Sequence, residues 1–144
     1  MALLVVLFIV MAVAVISSGF IARSDAALLC GYNYTLQTEA DALAWAGLEH
    51  ARALVVSPDN EVPLTEWSAV GLQLEANSLY YDLTIGIPDE TSVDPNLPST
   101  YTYPVACSAY KKRGVQVTAQ SSINASLFYD PNSMQAYYIS VCRQ

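Results

Sequence analysis

The chain has 144 residues, a hydrophobic fraction of 53% and a formal net charge of −7. The stretch from residue 61 to 94 is acidic and holds no lysine or arginine, so its surface repels phosphate and nucleic acid is not an expected partner. Once the apolar N-terminus is set aside, residues 57–144 remain, which suffice for one small domain and not for two.

The first predicted element is a long helix. Residues 1–22 carry no charge, and no proline occurs before Pro58. At ~1.5 Å per residue, the uncharged part is roughly 33 Å long and a helix to Val56 roughly 84 Å. We therefore expect residues 1–27 to form a transmembrane or filament-core helix half.

Three interpretations of this N-terminal run can be compared. A secretory signal needs a basic start and a short apolar stretch, whereas this chain has no charge before Arg23 and a longer run. A permanent single-span anchor fits the length, yet it normally carries basic residues at its cytoplasmic end. The missing basic flank favours a leader removed ahead of Met1, and the anchor remains the alternative.

Residues 28–56 have an amphipathic helical pattern. Small residues dominate its apolar stripe, which permits close approach of a partner backbone. The cluster Ser57 to Asn60 contains a proline and ends the helix near Val56. The predicted stripe comprises Leu29, Leu36, Ala40, Leu43, Ala44, Gly47, Ala51 and Leu54.

The pattern then changes to a period of two, which indicates strands. A hairpin tip is predicted at Lys111–Gly114, a polar loop at residues 88–99 and a turn at residues 130–133. The resulting fold class is α+β, with a long helix whose hydrophobic half protrudes, packed on a small antiparallel sheet in the head (residues 57–144). The predicted strands are Leu79–Ile87, Tyr101–Tyr110, Val115–Tyr129 and Gln135–Cys142.

The first 55 residues or so, from MALLVVLFIVMAVAVISSGFIA onward, resemble the N-terminal helix of type IV pilin-like proteins after removal of a short leader. Within that family they are most similar to pseudopilins of type II secretion, including the minor K type. The β-rich remainder of the chain resembles the family only in its expected arrangement of helix and strands and not in its residues. It implies a subunit that waits in the inner membrane and is then extracted into a helical filament.

Two positions depart from the family pattern. Major pilins usually carry a glutamate where this chain has Val5, and minor tip pseudopilins lack it too. Major pilins often have a proline where this chain has Ala22, and here the weakest helical stretch is Ser17-Ser18-Gly19. The resemblance therefore leaves open whether the subunit is major or minor, and whether its task is adhesion, motility, secretion or DNA uptake.

The expected function is a structural filament subunit located first in the inner membrane and then at the cell surface. Its partners would be further copies, other pilin-like subunits and the assembly machinery. The alternatives are a minor or tip pseudopilin and a membrane-anchored extracytoplasmic binding module. No catalytic constellation or cofactor motif occurs, so no enzyme and no cofactor are expected. Met1 would be the processed, methylated residue, and the filament core would comprise Leu3, Leu4, Val5, Leu7, Phe8, Val10, Val13, Val15 and Phe20.

Three cysteines allow one disulfide. In its strand, Cys107 is expected on the same face as Val105 and Ala109. Cys142 is expected on the same face as Tyr138 and Ser140. If the aliphatic positions face the helix, Cys107 points inward and Cys142 outward. This arrangement favours a bond between Cys30 and Cys107 over one between Cys107 and Cys142, and three free thiols are the remaining alternative.

The other candidate sites have simple structural explanations. His50, the only histidine, is expected to be solvated or hydrogen-bonded, and each pair of adjacent tyrosines (residues 80–81 and 137–138) to place one ring inward. The basic hairpin tip is expected to be solvated, with an anionic lipid or polymer contact as its alternative. No metal is expected, the weak calcium candidates being Asp89, Glu90 and Asp94. Glycosylation patterns occur at Asn33 and Asn124.

Overall fold

The computed structural model describes residues 2–57, 64–73, 78–91 and 99–143, with side chains from residue 4 onward. The fold is α+β, with one long N-terminal helix packed on an antiparallel sheet, which confirms the predicted class and is consistent with a pilin-like layout. The chain divides into two compact units, Met1–Thr35 and Leu36–Gln144. The first is helical, and the second contains the rest of the helix and the sheet.

The helix, α1, runs from Ala2 to Val56 and ends where the sequence predicts. It continues through Ser17-Ser18-Gly19, the stretch with the lowest helix propensity. The Ser18 hydroxyl donates a hydrogen bond of 2.9 Å to the Val15 carbonyl, which satisfies the hydroxyl without leaving the helix.

The sheet has six strands among the described residues, in the order β1-β2-β4-β5-β6, with β3 paired to the start of β4. The four predicted strands appear as β2, β4, β5 and β6. Strands β1 and β3 were not predicted, and the predicted loop at 88–99 is corrected because residues 89–91 pair with residues 100–102. The strands are β1 (Trp67–Gln73), β2 (Leu79–Ile85), β3 (Asp89–Thr91), β4 (Thr100–Arg113), β5 (Gln116–Asp130) and β6 (Gln135–Arg143).

Two predicted turns are confirmed. The β4–β5 hairpin turns at Gly114, whose φ of 65° suits a residue without a Cβ, although β4 extends to Arg113. The β5–β6 turn is held by the Asp130 carboxylate, which accepts hydrogen bonds from the Asn132 backbone N–H and the Ser133 hydroxyl, each 2.9 Å. These donors stabilise the carboxylate and lower the pKa of Asp130.

The core lies between one face of the helix and the inner face of the sheet. The helix buries Leu36, Ala40, Leu43, Gly47 and Ala51 as predicted. The prediction was wrong for the earliest position of the stripe, because Leu29 belongs to the first unit and is exposed. The buried stripe is also wider than predicted and includes Leu48 and Val55. On the sheet, the largest fully buried side chains are Tyr103, Leu83, Ile85, Ile123, Leu127 and Cys107.

In the middle of strand β6, the alternation of side chains between the two faces of the sheet is reversed. A register shift pairs Ser126 with Ser140 but Leu127 with Tyr138, so Ile139 is an extra residue, or β-bulge. The sequence pattern places Tyr138 on the same face as Cys142, which is the face away from the helix. That assignment is wrong because the bulge reverses the alternation, and the Tyr138 hydroxyl instead donates a hydrogen bond to the Leu48 carbonyl of the helix.

Candidate functional site

The largest feature of the surface is the apolar helix segment, defined here as Leu4–Thr35. Every residue of this segment is exposed. It includes a stretch long and apolar enough to cross a membrane, with a mean hydropathy of 2.8 and none of it buried inside the protein. A soluble protein seldom leaves so large a continuous apolar surface in water, so the segment marks a membrane or protein contact.

The residues predicted to form a filament core lie in this segment. Phe8 is the most exposed of them at 76%, and Leu7 is the least exposed at 55%. They surround the helix on all sides, because apolar residues occupy nearly every position. The side chain of Leu3 and the whole of Met1 lie outside the described residues. The other predicted core residues are Leu4, Val5, Val10, Val13, Val15 and Phe20.

The three cysteines are free thiols in the structure. The predicted bond between Cys30 and Cys107 stays a prediction, because it would join two units that are described separately. Cys30 is exposed in the first unit, whereas Cys107 is buried against the helix at Gly47, about five helical turns later in the sequence. The orientations predicted for Cys107 (inward) and Cys142 (outward) are confirmed.

Gly47 marks the closest approach of helix and sheet. A Cβ atom at this position would lie 2.3 Å from the Cys107 sulfur and 3.1 Å from the Tyr81 ring, so a larger residue requires a shift. Burial, together with the nearby Asp82 carboxylate, raises the pKa of the Cys107 thiol from 9.0 to about 11. Cys107 is therefore a protonated packing residue at neutral pH and is not an activated nucleophile.

His50 is part of an aromatic cluster at the helix–sheet boundary. Its Nδ1 lies 3.0 Å from the Tyr81 hydroxyl, and its ring packs edge-on against Trp67 and Tyr81. This contact agrees with the predicted hydrogen-bonded role. The described residues contain no group of three or more histidine, cysteine, aspartate or glutamate side chains that could hold a metal ion.

The calcium candidates do not come together in the described residues. Asp89 and Glu90 are neighbours on β3, where successive side chains point to opposite faces, and both are exposed. Asp94 lies outside the described residues. Of the two glycosylation patterns, Asn33 is exposed in the helix and Asn124 is exposed on the outer face of β5.

The basic hairpin tip is largely occupied within the second unit. Lys111 forms an ion pair with Glu39 of the helix. The ammonium of Lys112 lies 4.9 Å from the ring centroid of Tyr110 and 5.4 Å from that of Tyr80, which stack on each other. Two of the three basic side chains thus have internal partners, which disfavours a contact with a polymer or lipid.

Each tyrosine pair places one ring on each face, as predicted. Tyr81 is buried, and its neighbour Tyr80 lies on the outer face. Tyr138 reaches the helix, while Tyr137 is 54% exposed and packs on Phe128 with ring centroids 5.0 Å apart. The outer face of the sheet therefore carries aromatic side chains that a neighbouring molecule can contact.

Two shallow depressions of about 590 and 450 Å³ occur on the second unit. The larger lies beside the helix at Arg52 and Val56 and next to Tyr137. The smaller lies on the outer sheet face, over small side chains such as Ala106 and Ser126. Among the described residues that line them there is no histidine and no pair of carboxylates, so neither has an acid–base pair for catalysis.

No family model, curated protein or solved structure matches this chain. The function is therefore inferred from the residues and the geometry of the chain itself. In that geometry the apolar helix segment is the dominant candidate site, and the sheet is a small, folded domain attached to the same helix in sequence.

Proposed function

We propose that this chain is a structural subunit of an extracellular filament of the type IV pilus or pseudopilus kind. It polymerises through the apolar helix segment, and the second unit forms the surface of the filament. The subunit waits in the inner membrane and partners with its own copies and the assembly machinery. No nucleic acid, metal or cofactor belongs to this proposal.

The observation that carries the proposal is the exposure of the whole apolar helix segment. Large apolar side chains such as Phe8, Val13 and Phe20 gain about 1.5–3 kcal/mol each when they are fully buried. Outside a bilayer, only a comparable apolar surface can cover them on every side. Copies of the same helix supply such a surface, whereas the sheet covers the helix only from Leu36 onward.

Two alternatives each have one observation in their favour. A permanent membrane anchor is supported by the length and hydropathy of the helix, which are sufficient for a membrane span. A minor or tip pseudopilin is supported by Val5, which stands where the repeating subunits of the resembled family usually carry an acid. The tip subunit would occur once or a few times in a filament and would not form its length.

The test is fractionation of cells that express the full chain together with a type IV pilus assembly machinery. We expect the chain in filaments that are sheared from the cell surface and sediment, where intact mass and N-terminal sequencing identify its first residue. Recovery only from the membrane fraction would support the anchor. Recovery from filaments in trace amounts, beside a different major subunit, would support the tip role.

A matched pair of variants identifies the surface responsible. Val13→Lys places a charge in the middle of the apolar segment, whereas Val115→Lys places one at the hairpin tip, where Val115 is 98% exposed. The first is expected to disappear from sheared filaments, because an unpaired charge buried among packed apolar helices is costly. The second is expected to assemble normally. Equal assembly of both variants would contradict polymerisation through the helix.

A further inference from the structure

Arg23 and Asp25 are the only charged residues of the first 38 in the chain. Both are exposed on α1 and lie inside the apolar helix segment. Apolar surface continues on either side of them, since Ile21 is 61% exposed and Leu28 69% exposed. The two charges therefore do not mark the end of the apolar surface but interrupt it.

Neither charge has a partner on its own helix. Side chains meet on a helix at spacings of three and four residues, and Arg23 and Asp25 are only two apart. Neither forms an ion pair or hydrogen bond with any residue that the structure describes. All positions at the contacting spacings are uncharged: Gly19, Phe20, Ala26 and Ala27 around Arg23, and Ile21, Ala22, Leu28 and Leu29 around Asp25.

The two charges also lie on opposite sides of the helix. At about 100° of rotation per residue, two residues correspond to about 200°, with an axial separation of about 3 Å. One side of the helix thus presents a cation, and the other presents an anion at nearly the same height. A helix with this arrangement can contact one neighbour through Arg23 and a different neighbour through Asp25.

In a bundle of apolar helices both charges lose water, and an unpaired charge in such a place is strongly unfavourable. We propose that Arg23 of each copy forms an ion pair with Asp25 of the next copy in the assembly. The partner is a second copy of this chain, which the complementary charges select. This inference rests on the proposed function and adds the contact that sets how neighbouring helices align.

The geometry also determines the type of assembly. Because the cation and the anion lie on opposite sides, a two-fold dimer of parallel helices cannot place both at its single interface. The contact is heterologous, so it repeats from copy to copy and produces a ring or an open helical polymer. In a polymer whose helices run parallel, the pair forms only if neighbouring helices are offset by no more than an arginine side chain can span, so it fixes their axial register.

The experiment uses full-length chains with the two charges altered separately and together. Arg23→Asp gives a copy with two anions, and Asp25→Arg gives a copy with two cations. Each variant alone is expected to yield at least about tenfold less sheared, sedimentable polymer than the wild type, because every contact then joins like charges. Membrane content and the thermal unfolding of the second unit serve as controls and are expected to stay unchanged, since both residues are exposed in the first unit.

Two rescue experiments distinguish a contact between copies from a local effect. Co-expression of Arg23→Asp with Asp25→Arg is expected to restore the polymer, with both chains present in similar amounts, because each anionic copy can follow a cationic one. The double variant with the charges exchanged is also expected to polymerise. Failure of both rescues while the single variants are defective would overturn the ion pair.

The outcomes separate this inference from the proposed function. If the wild type polymerises and both single variants polymerise equally well, the ion pair is overturned and the filament function stands. If the wild type itself never leaves the membrane fraction, the filament function fails and the ion pair fails with it. If polymer returns only on co-expression or on exchange of the charges, the contact between copies is supported.

Discussion

The two parts of α1 differ in how their apolar residues find partners. From Leu36 to Val56 the helix has one buried stripe, and small residues such as Ala40 and Gly47 allow the sheet to approach closely. From Leu4 to Thr35 every side is exposed and nearly every side is apolar. A stripe needs one covering surface, whereas a helix that is apolar all round needs a surrounding one. The protein's own sheet satisfies the first requirement and leaves the second to lipid or to other copies.

The largest expected difference between the two parts comes from matched leucine truncations. Leu48→Ala removes a fully buried side chain and is expected to lower the free energy of unfolding of the second unit by about 2–5 kcal/mol. Leu29→Ala, at a position 63% exposed, is expected to change it by less than about 0.5 kcal/mol. Denaturant unfolding of the full chain in detergent, followed by tryptophan fluorescence, measures both. Equal losses would contradict the division of the helix.

A second comparison uses two glycines of the same helix. Gly47→Ala is expected to destabilise the second unit by about 1–3 kcal/mol, because the added Cβ would overlap the Cys107 sulfur and crowd the Tyr81 ring. Gly31→Ala meets nothing within 4 Å and is expected to raise helix stability by up to about 1 kcal/mol. Thermal unfolding by circular dichroism measures both variants. The explanation by overlap would be wrong if Cys107→Ala did not recover part of the loss caused by Gly47→Ala.

A third comparison tests the reversed alternation in β6. Tyr138→Phe removes the hydroxyl that donates to the Leu48 carbonyl and is expected to cost about 0.5–1.5 kcal/mol of unfolding free energy. Tyr137→Phe alters the neighbouring outward ring and is expected to have almost no effect. If the loss occurred at Tyr137 and not at Tyr138, the bulge at Ile139 would be misplaced.

The smallest expected effect concerns an ion pair at the start of the second unit. Arg143 contacts both carboxylate oxygens of Asp41, at 2.6 and 2.7 Å, but it is 59% exposed. Asp41→Asn is therefore expected to cost only about 0.2–1 kcal/mol, and less at 1 M salt. Asp89→Asn, on the exposed β3, is the control. Denaturant titrations at low and high salt measure both, and a loss that persists undiminished at high salt would contradict a screened surface pair.

The regular parts of the fold could be predicted because they follow simple periodicities. The bounds of α1 follow from the absence of proline before Pro58, and β2, β4, β5 and β6 follow from alternation. Strand β1 lacks that signal because a bulge with Gly71 at a φ of 70° interrupts it, and β3 has only three polar residues. The alternation of side chains along β6 could not be predicted, since the sequence does not reveal the extra residue at Ile139.

The candidate site was more predictable than the contacts around it. The apolar helix segment can be identified from composition alone, because its own residues are sufficient to define it. The pairing of Cys30 with Cys107 joins residues far apart in sequence and stays a prediction. The contact of Gly47 with Cys107 likewise depends on the crossing of two elements far apart in sequence. Local pattern thus predicts exposure better than it predicts partners.

Analytical ultracentrifugation of the full chain after removal of detergent and lipid tests the central claim most directly. If the apolar helix segment can be covered only by copies of itself, the 15.6 kDa chain has no stable monomeric state in plain buffer. We expect large, rapidly sedimenting polymers that retain the helix signal by circular dichroism. A stable, monodisperse monomer of 15.6 kDa under these conditions would contradict the account.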